Sequence, residues 1–99
     1  MPKTCTLIVT AIPNPENMAD VKAYQQGAGP LFAPLGGGTA NRMKVSEVLH
    51  GDGAAIVLVQ EFPDEEKLSA VFASDEYQAL IPVRSRGFKS INIWIAGSM

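Results

Sequence analysis

Ala54-Ala55-Ile56-Val57-Leu58-Val59 is the stretch that decides the fold. It is apolar at both parities, and successive side chains of a strand point to opposite faces of a sheet. A strand of this kind is buried on both sides, so it belongs at the centre of a sheet. Gly51-Asp52-Gly53, just before it, is a hairpin turn signal. The spacing therefore predicts a strand over Ala54 to Phe62, entered through a tight turn.

Upstream of that turn, Thr39 to Leu49 reads as a second strand. It carries Asn41, Arg42, Lys44, Ser46 and Glu47, a composition that suits an exposed edge. The first strand is Thr4 to Ile12, rich in β-branched residues and stopped by Pro13. Asn14 can cap a helix that has Pro15 in its first turn, where a missing N–H costs nothing. Met18, Val21, Tyr24 and Ala28 recur at helical spacing, followed by Leu31, Phe32 and Leu35. Gly27, Gly29 and Pro30 interrupt this pattern and predict a break or kink. Gly36-Gly37-Gly38 ends the helical region.

Downstream of the central strand, Asp64 is a helix cap, with Glu65 and Glu66 at the positive end of the helix dipole. Leu68, Val71 and Phe72 form its apolar face. Ser74 caps a further helical stretch with Tyr77, Leu80, Ile81 and Arg84, in which Pro82 predicts a kink and Gly87 the end. Ser90 to Ala96 is the last strand.

The order β-α-β-β-α-β is the split βαβ, or ferredoxin-like, arrangement of the α+β class. It implies a four-stranded antiparallel sheet with helices on one face, the first and third strands central and the other two at the edges. At 99 residues the chain is expected to form one domain, residues 1–99. The uncovered face of such a sheet is ordinarily polar. Here Leu7, Ile8 and Val9 in the first strand, and the third-strand run, offer apolar groups to both sides. The last strand puts Ile91, Ile93 and Ile95 on one face and Trp94 on the other. Monomers rarely tolerate an apolar patch of that extent. Burying roughly 800 Å² per subunit against a second copy would cover it, which predicts a homodimer with Trp94 largely buried.

Composition removes other classes. Apolar residues make up 46% of the chain and charged residues 18%, well above the regime of disordered chains. A net charge of −2 and scattered basic residues give no nucleic-acid footprint. No apolar run approaches the roughly 20 residues of a membrane span, and no signal-peptide layout opens the chain. A single cysteine suits a reducing cytoplasm. With one His and one Cys, no metal-ligand spacing can be written, and no cofactor is expected. Gly36–Gly38 follows a helix and leads to a strand, the reverse of a phosphate loop. Cys5 reads as a small buried hydrophobe.

Three residues remain as candidates. Tyr77 joins an apolar ring to a hydroxyl, and Arg84, seven residues on, projects from the same helical face. Together they could hold a carboxylate or enolate oxygen. The competing reading has Tyr77 packed on the sheet and Arg84 paired with an acidic surface group. His50 is a candidate general base near neutral pH, or simply an exposed turn residue.

Glu61-Phe62-Pro63-Asp64 and Ser74-Asp75-Glu76-Tyr77-Gln78-Ala79-Leu80-Ile81-Pro82-Val83-Arg84 resemble the bacterial family called domain of unknown function thirteen-thirty. Asn14-Pro15-Glu16, Pro30-Leu31-Phe32, Gly36-Gly37 and Gly51-Asp52 stand in the family's order. Asp75 and His50 depart from its common residues. The resemblance implies a dimeric α/β barrel, in which two ferredoxin-like subunits meet sheet to sheet, and it assigns no activity. Two classes of function follow: a cofactor-free enzyme or binder for a small acidic or aromatic metabolite, and a non-catalytic regulatory or interaction dimer. A closed apolar interior would favour the second, and a pocket where Tyr77 and Arg84 converge the first.

Overall fold

The computed structural model describes residues 3–99. Strand β1 (Cys5–Pro13) leads through a 3-10 turn (Pro15–Asn17) into helix α1 (Met18–Phe32) and a second 3-10 turn (Ala33–Leu35). Strands β2 (Asn41–Lys44) and β3 (Ile56–Phe62) follow, then helices α2 (Glu65–Ala73), α3 (Asp75–Gln78) and α4 (Ile81–Gly87), and strand β4 (Phe88–Ala96). The sheet order is β2-β3-β1-β4, with every pairing antiparallel. This is the ferredoxin-like α+β fold, with the first and third strands central as the sequence predicts.

Register explains which face is covered. Cys5 faces Phe62, Leu7 faces Ile95, and Val9 faces both Leu58 and Ile93. These residues share one parity, and they pack with Leu68, Phe72 and Phe32 of the helices in the core cluster. Leu68 is fully buried. Cys5 lies in this core, and burial, with Glu65 and Asp64 adding to it, pushes its thiol above the usual range, against a smaller opposing pull from Lys3. The opposite parity is uncovered within the chain. There Ile8 faces Val59 and Trp94, and Met43 faces Val57. Trp94 is 51% exposed and Met43 50%. Within a single chain the expected burial of Trp94 is therefore not met, because its parity points it away from the helices.

Several boundaries differ from the sequence reading. The second strand is far shorter than Thr39 to Leu49. Past Lys44 the chain keeps one cross-link, the Val45 N–H donating to the Ala55 carbonyl at 2.9 Å, and then leaves the sheet. The tight hairpin is thus a wide, mostly exposed excursion over residues 45–55, with Leu49 87% exposed. Helix α1 is assigned without interruption through Gly27, Gly29 and Pro30. Pro30 sits in its last turn, where its missing N–H costs the helix one hydrogen bond, that to the Gln26 carbonyl, without ending it. Asn14 caps the 3-10 turn that precedes α1, accepting from the Glu16 N–H. Asp64 caps α2 through the Glu66 and Lys67 N–H groups. The stretch after Ser74 is two helices, and Pro82 falls in the first turn of α4, where proline is tolerated.

Candidate functional site

Tyr77 is held from below by Ser74. The Ser74 hydroxyl donates to the Val71 carbonyl at 2.6 Å and accepts from the Tyr77 N–H at 3.3 Å, ending α2 and starting α3 in one residue. Between α3 and α4, Ala79 and Leu80 stay in the right-handed helical region. The chain direction therefore carries across the gap, and the Arg84 N–H reaches the Leu80 carbonyl at 2.8 Å. This continuity is why residues seven apart on two helices meet as though on one.

Nη1 of Arg84 donates to the Tyr77 hydroxyl oxygen at 2.9 Å. That hydroxyl lies 2.7 Å from the hydroxyl of Tyr24 on α1. The result is a chain of three polar groups, Arg84, Tyr77 and Tyr24, linking α4, α3 and α1. Aromatic rings enclose it. Tyr77 meets Phe72 at 4.8 Å and Phe32 at 6.1 Å between centroids, both edge to face, and Tyr24 meets Phe88 at 5.8 Å.

Close helix packing sets these distances. A Cβ added at Gly87 would come within 2.9 Å of the Val21 backbone nitrogen, and one at Gly27 within 2.6 Å of Leu80 Cδ2. At Gly87 the obstacle is backbone, so glycine there lets α4 settle closely on α1; at Gly27 it is the movable end of Leu80.

Arg84 forms no ion pair among the described residues. The pairs present are Lys3 with Glu65 and Arg86 with Asp20. The reading in which Arg84 meets an acidic surface group therefore does not describe this site. Tyr24 is held protonated: burial first, and then the Tyr77 hydrogen bond, raise its pKa well above the ordinary value of 10.0.

Two cavities flank this chain. The first, about 570 Å³, lies over β4 and is lined by Tyr77, Arg84, Phe72, Ile81 and the Ile91, Ile93 and Ile95 side chains, among others. The second, about 470 Å³, lies between α1 and the sheet, with Tyr24, Leu7, Val9, Phe32 and Leu58 among its walls. They share Phe72, Ile91 and Ile93. His50 lines neither cavity; it is exposed in the excursion between β2 and β3. No group of three or more His, Cys, Asp or Glu is placed to hold a metal among the described residues.

Sequence reasoning placed Tyr24 on the apolar face of α1 and took no account of its hydroxyl. The available signal was a phenol on a buried helical face, which needs a partner.

Structures with the same fold are known. A Rhodopseudomonas palustris protein of unknown function is 14% identical, with a TM-score of 0.79 over 100% of this chain and 85% of that one. A Bacteroides fragilis protein of unknown function, described as dimeric and ferredoxin-like, is 13% identical with a TM-score of 0.61 over 96% of each chain. A Nitrosomonas europaea protein, named provisionally as an antibiotic biosynthesis monooxygenase, is 11% identical with a TM-score of 0.61 over 97% of this chain and 89% of that one. At these identities the likeness is one of fold. No curated protein is detectably similar. The sequence profile of one family, Domain of unknown function (DUF1330), matches residues 6–98, and the chain belongs to that family.

Proposed function

We propose that this protein is a homodimer that binds or converts a small acidic or aromatic metabolite in the cavity over β4, with no metal or nucleotide cofactor. The observation that carries the reading is Arg84: a half-buried guanidinium at the wall of an open cavity of mixed polar and apolar lining, held by a phenol and paired with no carboxylate among the described residues. A cation placed in this way favours an anion, because its partial burial reduces the screening by water. Tyr77 spends one guanidinium N–H and fixes the plane of the group, leaving its other donors for a carboxylate. The isoleucines of β4 and Phe72 supply walls for an apolar or aromatic body.

The homodimer is supported by the apolar parity of the sheet that the helices leave open, with Trp94 and Met43 half exposed on it. The Bacteroides fragilis neighbour, described as dimeric, supplies a precedent on this fold. A reducing cytoplasmic setting belongs to the same reading and rests on one buried thiol. The monooxygenase name of another neighbour is an analogy of fold, and fold does not set chemistry.

A thermal-shift panel of small carboxylates, beginning with benzoate, tests the site, since a ligand of the folded state raises apparent stability by mass action. Arg84→Met should weaken benzoate binding by about one to two orders of magnitude, the worth of a charge-assisted hydrogen bond. Equal affinity in the wild type and the variant would place the anion site elsewhere.

A further inference from the structure

One cross-strand row of the sheet runs through apolar residues and ends on a cation. Arg42 of β2 pairs with Leu58 of β3, Leu58 with Val9 of β1, and Val9 with Ile93 of β4. All four share the helix-side parity, and all four line the cavity between α1 and the sheet. Neighbouring strands lie about 4.8 Å apart, so the row crosses roughly 14 Å of the cavity floor. The adjacent row repeats the arrangement. Lys44 pairs with Ile56, Ile56 with Ala11, and Ala11 with Ile91, the last three again lining the cavity.

The β2 end of these rows is the mouth. Ile56 is 39% exposed although its parity is that of the covered face, and Arg42 and Lys44 beside it are exposed. Among the residues that line the cavity Arg42 alone carries a charge, with no Asp or Glu to oppose it. Neither Arg42 nor Lys44 enters an ion pair among the described residues. The polar groups nearer the interior are spent elsewhere: the Tyr24 hydroxyl on that of Tyr77, and the Gln60 amide on the Gly38 carbonyl at 2.8 Å. An apolar floor that leads to an unpaired cation at its open end suits a ligand with an apolar tail and an anionic head. The tail leaves water, while the head stays at the solvent edge and avoids the cost of burying a charge. Benzoate would occupy only part of such a row, whereas the tail of a medium-chain fatty acid runs its length.

We infer that the cavity between α1 and the sheet is a second binding site, which takes a medium-chain fatty acid with its tail along Leu58, Val9 and Ile93 and its carboxylate on Arg42. The site lies on the helix side, so association through the open face of the sheet leaves it free. It uses a different cation from the anion cavity proposed above, and the two can fail independently.

The test titrates the protein calorimetrically with decanoate, with 1-decanol as its uncharged counterpart, and with benzoate for the Arg84 cavity. Wild-type protein should bind both ten-carbon probes. Arg42→Met should weaken decanoate about three- to tenfold, the worth of a charge pair at a solvent-exposed mouth. 1-Decanol should bind that variant at its wild-type affinity, which shows that the chamber and the fold are intact. Arg84→Met should leave decanoate binding unchanged. Nuclear Overhauser contacts locate the tail: they should join the decanoate chain to the Val9 and Leu58 methyls, and not to Val57 and Val59 on the open face. Failure of the wild type to bind decanoate would overturn the inference, as would equal affinity in Arg42→Met, a loss in Arg84→Met alone, or contacts confined to Val57 and Val59. Failure of benzoate alone would count against the anion site and leave this one standing.

Discussion

The two faces of the sheet are built from the same four strands, and they meet opposite fates. On one parity Cys5, Leu7 and Phe62 are buried under Leu68 and Phe72. On the other, Ile8, Val57, Val59 and Trp94 form an apolar patch, bordered by Thr10, Asn92 and Asn41, that no helix of the chain covers. Alternation along a strand assigns residues to faces, but it does not say what lies on each face. Apolar residues on the helix side stabilise the folded chain, whereas those on the open side are left uncovered within it and carry the proposed association.

That contrast can be broken by substitution. The largest effect is expected on the covered face. Leu68→Ala removes a fully buried side chain and should lower unfolding free energy by about 2–5 kcal/mol in urea denaturation. A loss below about 1 kcal/mol, the usual scale of surface changes, would mean the core is not centred there. The open face should respond differently. Val59→Asp, opposite Ile8 and Asn41 at the heart of that face, should convert the proposed dimer to monomer in light scattering while far-ultraviolet dichroism keeps its native shape. A wild type already monomeric at micromolar concentration, or a variant that stays dimeric, would remove the association surface from this face.

The smallest effect sharpens the covered face alone. Tyr24 holds its proton more tightly in the folded chain than in the unfolded one. Above its ordinary pKa of 10.0 the unfolded chain sheds that proton first, so the contribution to stability is complete below pH 10 and declines as pH rises beyond it. Tyrosinate absorbance should accordingly show, between pH 10 and alkaline unfolding, that not all of the chain's two tyrosines have ionised. Ionisation of both in one step near pH 10 would show that the Tyr24 hydroxyl is not buried beside Tyr77.

Legibility varied with the range of the interactions involved. The central place of β3, the caps at Asp64 and Ser74, and the edge position of β2 follow from local chemistry and periodicity, and they appear in the structure. The excursion over residues 45–55 does not, because Gly51-Asp52-Gly53 signals a turn but carries no information on how far the flanking strands remain paired. Helix α1 passes Gly27 and Gly29 despite their low helix propensity; Leu80 packs over Gly27, while Gly29 faces open space. At the site, the seven-residue spacing of Tyr77 and Arg84 was visible, being a matter of helical period. Their direct hydrogen bond was not, and neither was the absence of a carboxylate partner for Arg84 among the described residues.

The sequence alone determined the order of elements, the ferredoxin-like topology and the two apolar faces of the sheet, since each rests on patterns a few residues long. Tertiary structure alone decided that Tyr24 joins Tyr77 and Arg84, 53 residues apart in the case of the two hydroxyls. It also decided that this polar chain lies between two cavities. Both depend on how closely α4 settles on α1, and that approach passes through the backbone contact at Gly87, which no periodicity records.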